Sequence, residues 1–301
     1  MPTELSLLSA LWVRTSGANA APSWRREVIA EGELVRLAGV MARHRDREEV
    51  RSRTVLGLTR RVQVRDLSSA THEIVERAAR RQGGYVCLCN VHVVVTALGD
   101  HGLERALDGA WRRLADGAPI AWLQRRMGHA GARRVGGPDL MPAVVDVGRS
   151  QGLRHFLLGS TPEIVAGVAA VLTRRYPGAE IVGSFSPPVS PDAAVSAAAL
   201  DAIRRGDPHI VWCALGAPKQ ELWMYRASPL LPSHLLVGVG AAFDFLAGSK
   251  RRAPTWMQER GLEWVHRLGT EPRRLTGRYL RTNTEFVARC LAELLDELRA
   301  A

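Results

Sequence analysis

LRHFLLGSTPEIVAGVAAVLTRRYPGAEIVGSFSPP, residues 153–188, reads as strand, turn, helix, turn and strand. The first apolar run is too short for a helix and stops at Gly159. After it, Ser160 or Thr161 can cap a helix, Pro162 suits its first turn and Glu163 can accept from free amides there. The helix closes at Pro177-Gly178, and AEIVGSFSPP starts a second strand whose expected end is Gly183. The unit then repeats: a helix over DAAVSAAALDAIRRG (192–206), a strand in HIVWCAL (209–215), and a strand in SHLLVGVGAAFDF (233–245) with Gly238 and Gly240. Strands alternating with helices specify an α/β fold, here a Rossmann-like parallel sheet with crossover helices. Four strands are expected to end in glycine-containing loops on one edge, and ligands of open α/β sheets bind at that edge.

Outward from this centre the pattern changes twice. Residues 54–81 begin the alternation of short β-rich runs and amphipathic helices. Residues 1–53 are rich in Ala, Ser and Arg and suggest one helix over EGELVRLAGVMARHRDREEV (31–50) and no strand. Toward the other end, residues 249–289 carry ten Arg or Lys against four Glu. The expected organisation is an N-terminal extension over 1–53, an α/β core over 54–248, and a basic helical appendage over 249–301. The formal net charge is +11, and all but two of the 41 basic residues are arginine. A basic segment of this kind can face nucleic acid, anionic lipid or a diphosphate. No zinc-finger, RRM or helix-turn-helix pattern accompanies the charge, so a nucleic-acid-binding protein stands only as an alternative. Cys87, Cys89, Cys213 and Cys290 form no CxxC pair and read as buried free thiols. No apolar run reaches 18 residues and no signal peptide is evident, so a cytoplasmic chain is expected.

Three loops invite a chemical reading, each with a bland one beside it. GAPKQELWMYR (216–226) lies at a strand's carboxyl end, where Gly216, Pro218, Lys219, Gln220 and Glu221 could meet a ligand. It could equally be a helix start with Glu221 on the dipole. In VGVGAAF the third glycine of a dinucleotide fingerprint is replaced by Phe243, with Asp244 following. An NAD-dependent oxidoreductase is therefore a weak alternative, and close packing or a sugar-nucleotide loop the better one. Asp116-Gly117, in LADGAPIAW, would in isolation be a turn.

Taken together, CLCNVHVVVTA, DGAP, RRVGGPDLMPAV, FLLGSTPE, GSFSPP, LGAPKQELWM and GVGAAFDFLAGSKRRAPTWMQERGLEWVHRLGTEPRR, in this order, resemble the WecG/TagA/CpsF family of bacterial glycosyltransferases over residues 54–290. The resemblance implies inverting, metal-independent transfer of a sugar from a UDP-sugar to a polyprenyl-diphosphate-linked sugar, on the inner face of the plasma membrane, with no cofactor. It implies Asp116 as general base, Asn90 in the sugar pocket, Arg134 near a phosphate and Gln220 against the donor. Gly117, Gly159, Gly183, Gly216, Pro218, Lys219, Glu221, Phe243, Asp244 and Arg252 join them as substrate-binding candidates. The C-terminal region is expected to dock on anionic lipid and to bring Arg273, Arg274, Arg278 and Arg281 toward membrane and diphosphate. The expected partners are thus donor, acceptor and membrane surface, without nucleic acid; self-association into a homo-oligomer is left open. The sequence contains no Asp-x-Asp, so charge on a leaving diphosphate must be met by helix N-termini, loop amides and arginines. Two positions depart from the family pattern: Leu88 replaces a threonine two residues before Asn90, and Ala115 replaces a proline before Asp116. The first bears on which sugar is accepted. GSFSPP resembles the branch linked to exopolysaccharide assembly.

Overall fold

A computed structural model of the protein describes residues 10–15, 23–28, 54–188, 193–260 and 262–300. It divides into two units, residues 1–53 and 54–301. In the first, Ala10–Thr15 (β1) pairs antiparallel with Ser23–Val28 (β2). This corrects the expectation of no strand there. The β-prone run Leu11-Trp12-Val13, and Trp24 and Val28 in SWRREV, are the signal that the Ala- and Arg-rich composition obscured. The helix expected over 31–50 lies outside the described residues.

The second unit is built on six parallel strands: Gly84–Cys89 (β3), Arg112–Ala115 (β4), Arg154–Gly159 (β5), Glu180–Phe185 (β6), Ile210–Ala214 (β7) and Leu235–Gly238 (β8). Their order is β4-β3-β8-β7-β5-β6, and every pairing is parallel. The expected α/β, Rossmann-like parallel sheet is what the chain forms. Alternate strand residues enter two cores. Cys87, Cys89, Phe156, Val211 and Cys213 face one, with Val93, Leu103, Ile120 and Trp223 from the helices. Val86, Leu88, Leu157, Trp212 and Val237 face the other, with Ile74, Leu140, Val168 and Phe243. Coverage on both faces explains why these strands read as unbroken apolar runs. All four cysteines are buried and free, as expected.

The helices of this unit are Val55–Arg60 (α1), Leu67–Ala79 (α2), Val91–Gly99 (α3), His101–Asp108 (α4), Ala118–Arg126 (α5), Gly137–Gly148 (α6), Pro162–Arg175 (α7), Ala197–Gly206 (α8), Lys219–Ala227 (α9), Ala242–Leu246 (α10), Thr255–Glu259 (α11), Glu263–Thr270 (α12) and Pro272–Ala300 (α13). Thr161 caps α7, accepting from the Ile164 N–H, with Pro162 in its first turn. The β6 strand does not end at Gly183 but runs on to Phe185, with Gly183 paired beside Phe156 in its interior. A Cβ at Gly183 would stand 2.8 Å from the Phe156 ring, so this glycine makes room for an aromatic side chain.

The C-terminal helix α13 packs on the core. Leu275, Thr282, Phe286 and Cys290 are buried, and the Glu293 carboxylate accepts from the backbone N–H groups of Val55 (2.9 Å) and Leu56 (2.8 Å) at the start of α1. Those amides have no partner inside their own helix, so a carboxylate there is well placed. On the opposite side, Leu280, Val287, Leu291 and Leu295 are exposed.

Candidate active site

The carboxyl ends of β4, β3, β8 and β7 open into a cavity of about 970 Å³, covered by α12 and α13. Its floor is assembled by backbone hydrogen bonds. The Asp116 N–H donates to the Cys89 carbonyl at 2.9 Å, and the Val135 N–H donates to the Ala115 carbonyl at 2.7 Å. These two bonds bring Asn90, Asp116 and Arg134, distant in sequence, to one place. Gly117 has φ +118°, a region L side chains avoid, and its turn lets α5 begin at Ala118 directly after the carboxylate. Asn90 caps α3, its side-chain oxygen accepting from the Val93 N–H at 3.1 Å, and it lines the same cavity as Asp116.

Asp116 lies deep but open to the cavity, with 28% of its side chain accessible. Burial raises its pKa, the Arg134 charge lowers it, the Glu263 charge raises it, and Arg267 and the neighbouring Asn90 amide lower it; the net direction is upward. Arg134 stands among three carboxylates. Its Nη2 is 2.8 Å from Glu263, its Nη1 3.8 Å from Asp139 and its Nε 3.9 Å from Asp116. Arg252 does not line the cavity. It grips Asp139 with two nitrogens at 2.6 Å each and has its Nε 3.7 Å from Glu263.

The opposite wall comes from the GAPKQE loop. Gly216, Ala217 and Gln220 line the cavity. Gln220 is buried and held on both sides: its oxygen accepts from the Gly240 N–H at 3.1 Å, and its nitrogen donates to Glu221 Oε1 at 2.8 Å. Glu221 is fully buried with Oε2 unpartnered, and burial pushes its pKa up to about 7. Pro218 and Lys219 begin α9 just outside the lining. A carboxylate-bearing floor, a cationic guanidinium and the N-termini of α3, α5 and α9 thus converge on one half-open space. Such a space suits an anionic ligand beside a proton acceptor.

Other sequence candidates lie elsewhere. Gly159 has φ +110° and would place a Cβ 2.6 Å from the Ala214 carbonyl oxygen; like Gly183 it is a packing position away from the cavity. Phe243 is buried in the second core, and Asp244 pairs with Lys250 at 3.1 Å. Arg273 and Arg281 are exposed on α13 and do not line the cavity. The side chains of Arg274 and Arg278 lie outside the described set.

Sequence reasoning passed over several lining residues: Glu263, Trp264 and Arg267 of α12, Tyr279 of α13 and Trp122 of α5. The α12 residues sit inside GLEWVHRLGTEPRR, where an acidic residue within a basic segment was the available signal. Leu88, the departure from the family threonine, lines the floor with no hydroxyl to offer. Among the described residues no helix is long and apolar enough to cross a membrane. A family model described as "Glycosyl transferase WecG/TagA/CpsF family" matches residues 53–300.

Proposed function

Because the chain belongs to the WecG/TagA/CpsF glycosyltransferase family, acting in cell-surface polymer synthesis, we propose that it moves a sugar from a UDP-sugar to a polyprenyl-diphosphate-linked acceptor with inversion. Asp116 is the general base. It takes the acceptor hydroxyl proton as that oxygen bonds to the anomeric carbon. The bond from that carbon to the diphosphate oxygen breaks, and its electron pair leaves with UDP. Family membership displaces the oxidoreductase and nucleic-acid readings.

The observation that carries this reading is the placement of Asp116. It is a carboxylate of raised pKa at the floor of a 970 Å³ cavity, with Arg134 and Arg267 beside it. A base is most effective when its pKa approaches the working pH. The two arginines and the helix N-termini can balance charge on the leaving diphosphate without a metal ion. Gln220, fixed by Gly240 and Glu221, is a rigid donor-side contact. A long apolar acceptor has somewhere to go: Trp122, Trp264, Val287 and Leu291 stand at the cavity wall and are also exposed. Exposed Leu280 and Leu295 extend that stripe along α13, and the basic residues of 249–289 favour an anionic leaflet.

The test is a panel of UDP-sugars with a short-chain polyprenyl-diphosphate-sugar acceptor, run with EDTA and assayed for anomeric configuration. Transfer from one donor with inversion is the expected result. No transfer from any UDP-sugar, or transfer only with added divalent metal, overturns the corresponding part.

A further inference from the structure

We propose that Glu263 is a positioning residue for this transfer: it holds the Arg134 guanidinium away from Asp116 and leaves the carboxylate free to take the acceptor proton. The inference rests on the function proposed above and adds a role for the C-terminal helices inside the site.

The geometry is asymmetric. Of the three carboxylates around Arg134, only Glu263 is within hydrogen-bonding distance, at 2.8 Å; Asp139 and Asp116 are at 3.8 Å and 3.9 Å. Asp139 is already engaged by the two-pronged grip of Arg252. If Glu263 lost its charge, Asp116 would be the one of the three left to receive Arg134. A guanidinium and a carboxylate pair through two parallel hydrogen bonds, which would occupy the lone pairs that must accept the proton. The same pairing would favour the ionised carboxylate and make it a poorer base.

Besides His92 and Tyr279, which line the same cavity, the groups whose charge or polarity acts on Asp116 come from four segments. Arg134 comes from the segment before α6, Glu263 and Arg267 from α12, Arg252 from the segment after α10, and Cys89 from β3, with Asn90 as a neutral neighbour. The Cys89 thiol is buried and its pKa is raised, so it carries no charge at neutral pH. Glu263 is the one acidic residue in this set. It acts on Asp116 directly, as a like charge, and indirectly, by retaining Arg134. Because it belongs to α12, the C-terminal cover of the cavity itself supplies a group that acts on the base.

The experiment follows the Asp116 carboxyl by ¹³C NMR in the full-length chain, the resonance identified by its loss in Asp116→Asn. In Glu263→Gln the titration midpoint is expected to fall by about one pH unit or more, and in Glu263→Asp, which keeps the charge, by less. In an Arg134→Gln background the effect of Glu263→Gln should shrink to the direct like-charge part. An unchanged midpoint in Glu263→Gln overturns the proposal. An equal shift with and without Arg134 overturns the holding role. If Glu263→Gln does not fold, Glu263→Asp decides: a shift that disappears in the Arg134→Gln background supports the role, and no shift overturns it. Turnover separates this from the reading beneath it. A fully active Asp116→Asn sinks the proposed base. An inactive Asp116→Asn beside a Glu263→Gln of wild-type pH–rate profile sinks only the role of Glu263.

Discussion

Gly117 and Gly159 stand at the carboxyl edge of one sheet, both with strongly positive φ, yet one borders a cavity and the other does not. A Cβ on Gly159 would meet the Ala214 carbonyl oxygen at 2.6 Å, whereas on Gly117 the nearest atoms are 3.8 Å and 3.9 Å away. The β4-β3-β8-β7 side of the edge is covered by α12 and α13 and holds the cavity; the glycine positions of the β5-β6 side serve packing. A strand-end glycine is therefore necessary geometry for a tight turn and insufficient evidence for a ligand. What distinguishes the two halves is the cover.

Removing that cover is the most severe way to break the comparison. Truncation after Gly248 deletes the buried Leu275, Phe286 and Cys290 and strips the Glu293 carboxylate from the start of α1. Each large buried side chain contributes ~2 to 3 kcal/mol, against a typical total of about 5 to 15 kcal/mol. The truncated chain is expected to be insoluble or to melt without cooperativity, followed by circular dichroism. A soluble fragment with a sharp melt would make 54–248 a self-sufficient core and α13 a true appendage.

The two glycines themselves sharpen the contrast. Gly159→Ala incurs ~1 to 2 kcal/mol for its backbone conformation and ~1 to 3 kcal/mol for overpacking against the Ala214 carbonyl. Its Tm should fall while the KM for the donor stays the same. Gly117→Ala incurs only the backbone cost but moves Asp116, so it should lose turnover more than stability. Equal effects of the two on turnover would erase the distinction between the halves.

How much of this was legible follows the same line. The repeat of apolar run, capped helix and apolar run fixed a parallel sheet, because burial on both faces and Pro-Gly punctuation are local signals. Asp116, Asn90, Arg134 and Gln220 were legible through the family resemblance, and the backbone bonds at Cys89 and Ala115 and the Gln220–Gly240 bond bring them to the cavity. Glu263 and Asp139 were not singled out. Their importance lies in which guanidinium each engages, a pairing made across more than a hundred residues. Gly183 was misplaced at a strand end because an interior glycine facing an aromatic ring and a turn glycine look alike in one sequence. The strands of 1–53 were missed because two six-residue runs with few β-prone residues are a weak signal amid Ala, Ser and Arg.

A smaller effect is expected beneath the cavity wall, where Glu221 is buried with one oxygen unpartnered. Its folded pKa of about 7 lies above the ordinary glutamate value of 4.5. The folded state therefore binds the extra proton, and the associated stability is present below pH 4.5 and lost as pH rises through 7. The loss is on the order of 3 kcal/mol at most by the usual conversion of pKa shift to free energy. Glu221→Gln should remove this slope, so that chemical denaturation at pH 5 and pH 8 differs less than in the wild type. A slope unchanged by the substitution would assign the pH dependence to other groups.

The least severe substitutions lie on the outer surface of α13. Arg273 and Arg281 are exposed and line no part of the cavity, so replacing both with alanine should leave stability within about 0.5 kcal/mol. If the basic, apolar-striped C-terminal surface rests on lipid, each removed charge should weaken binding by ~1 kcal/mol. The double variant should then partition onto anionic vesicles roughly 30-fold less. Added salt should reproduce the effect in the wild type, because surface charge is screened beyond about 8 Å at physiological ionic strength. The apolar part is separable: Leu291→Ser, at an exposed position that also borders the cavity, should weaken vesicle binding in a way salt does not mimic. Co-sedimentation with vesicles of mixed anionic and neutral phospholipid measures all three. If neither the charge removal, the salt nor Leu291→Ser changes sedimentation, the cover closes the site without meeting a membrane, and the acceptor must reach the cavity by another route.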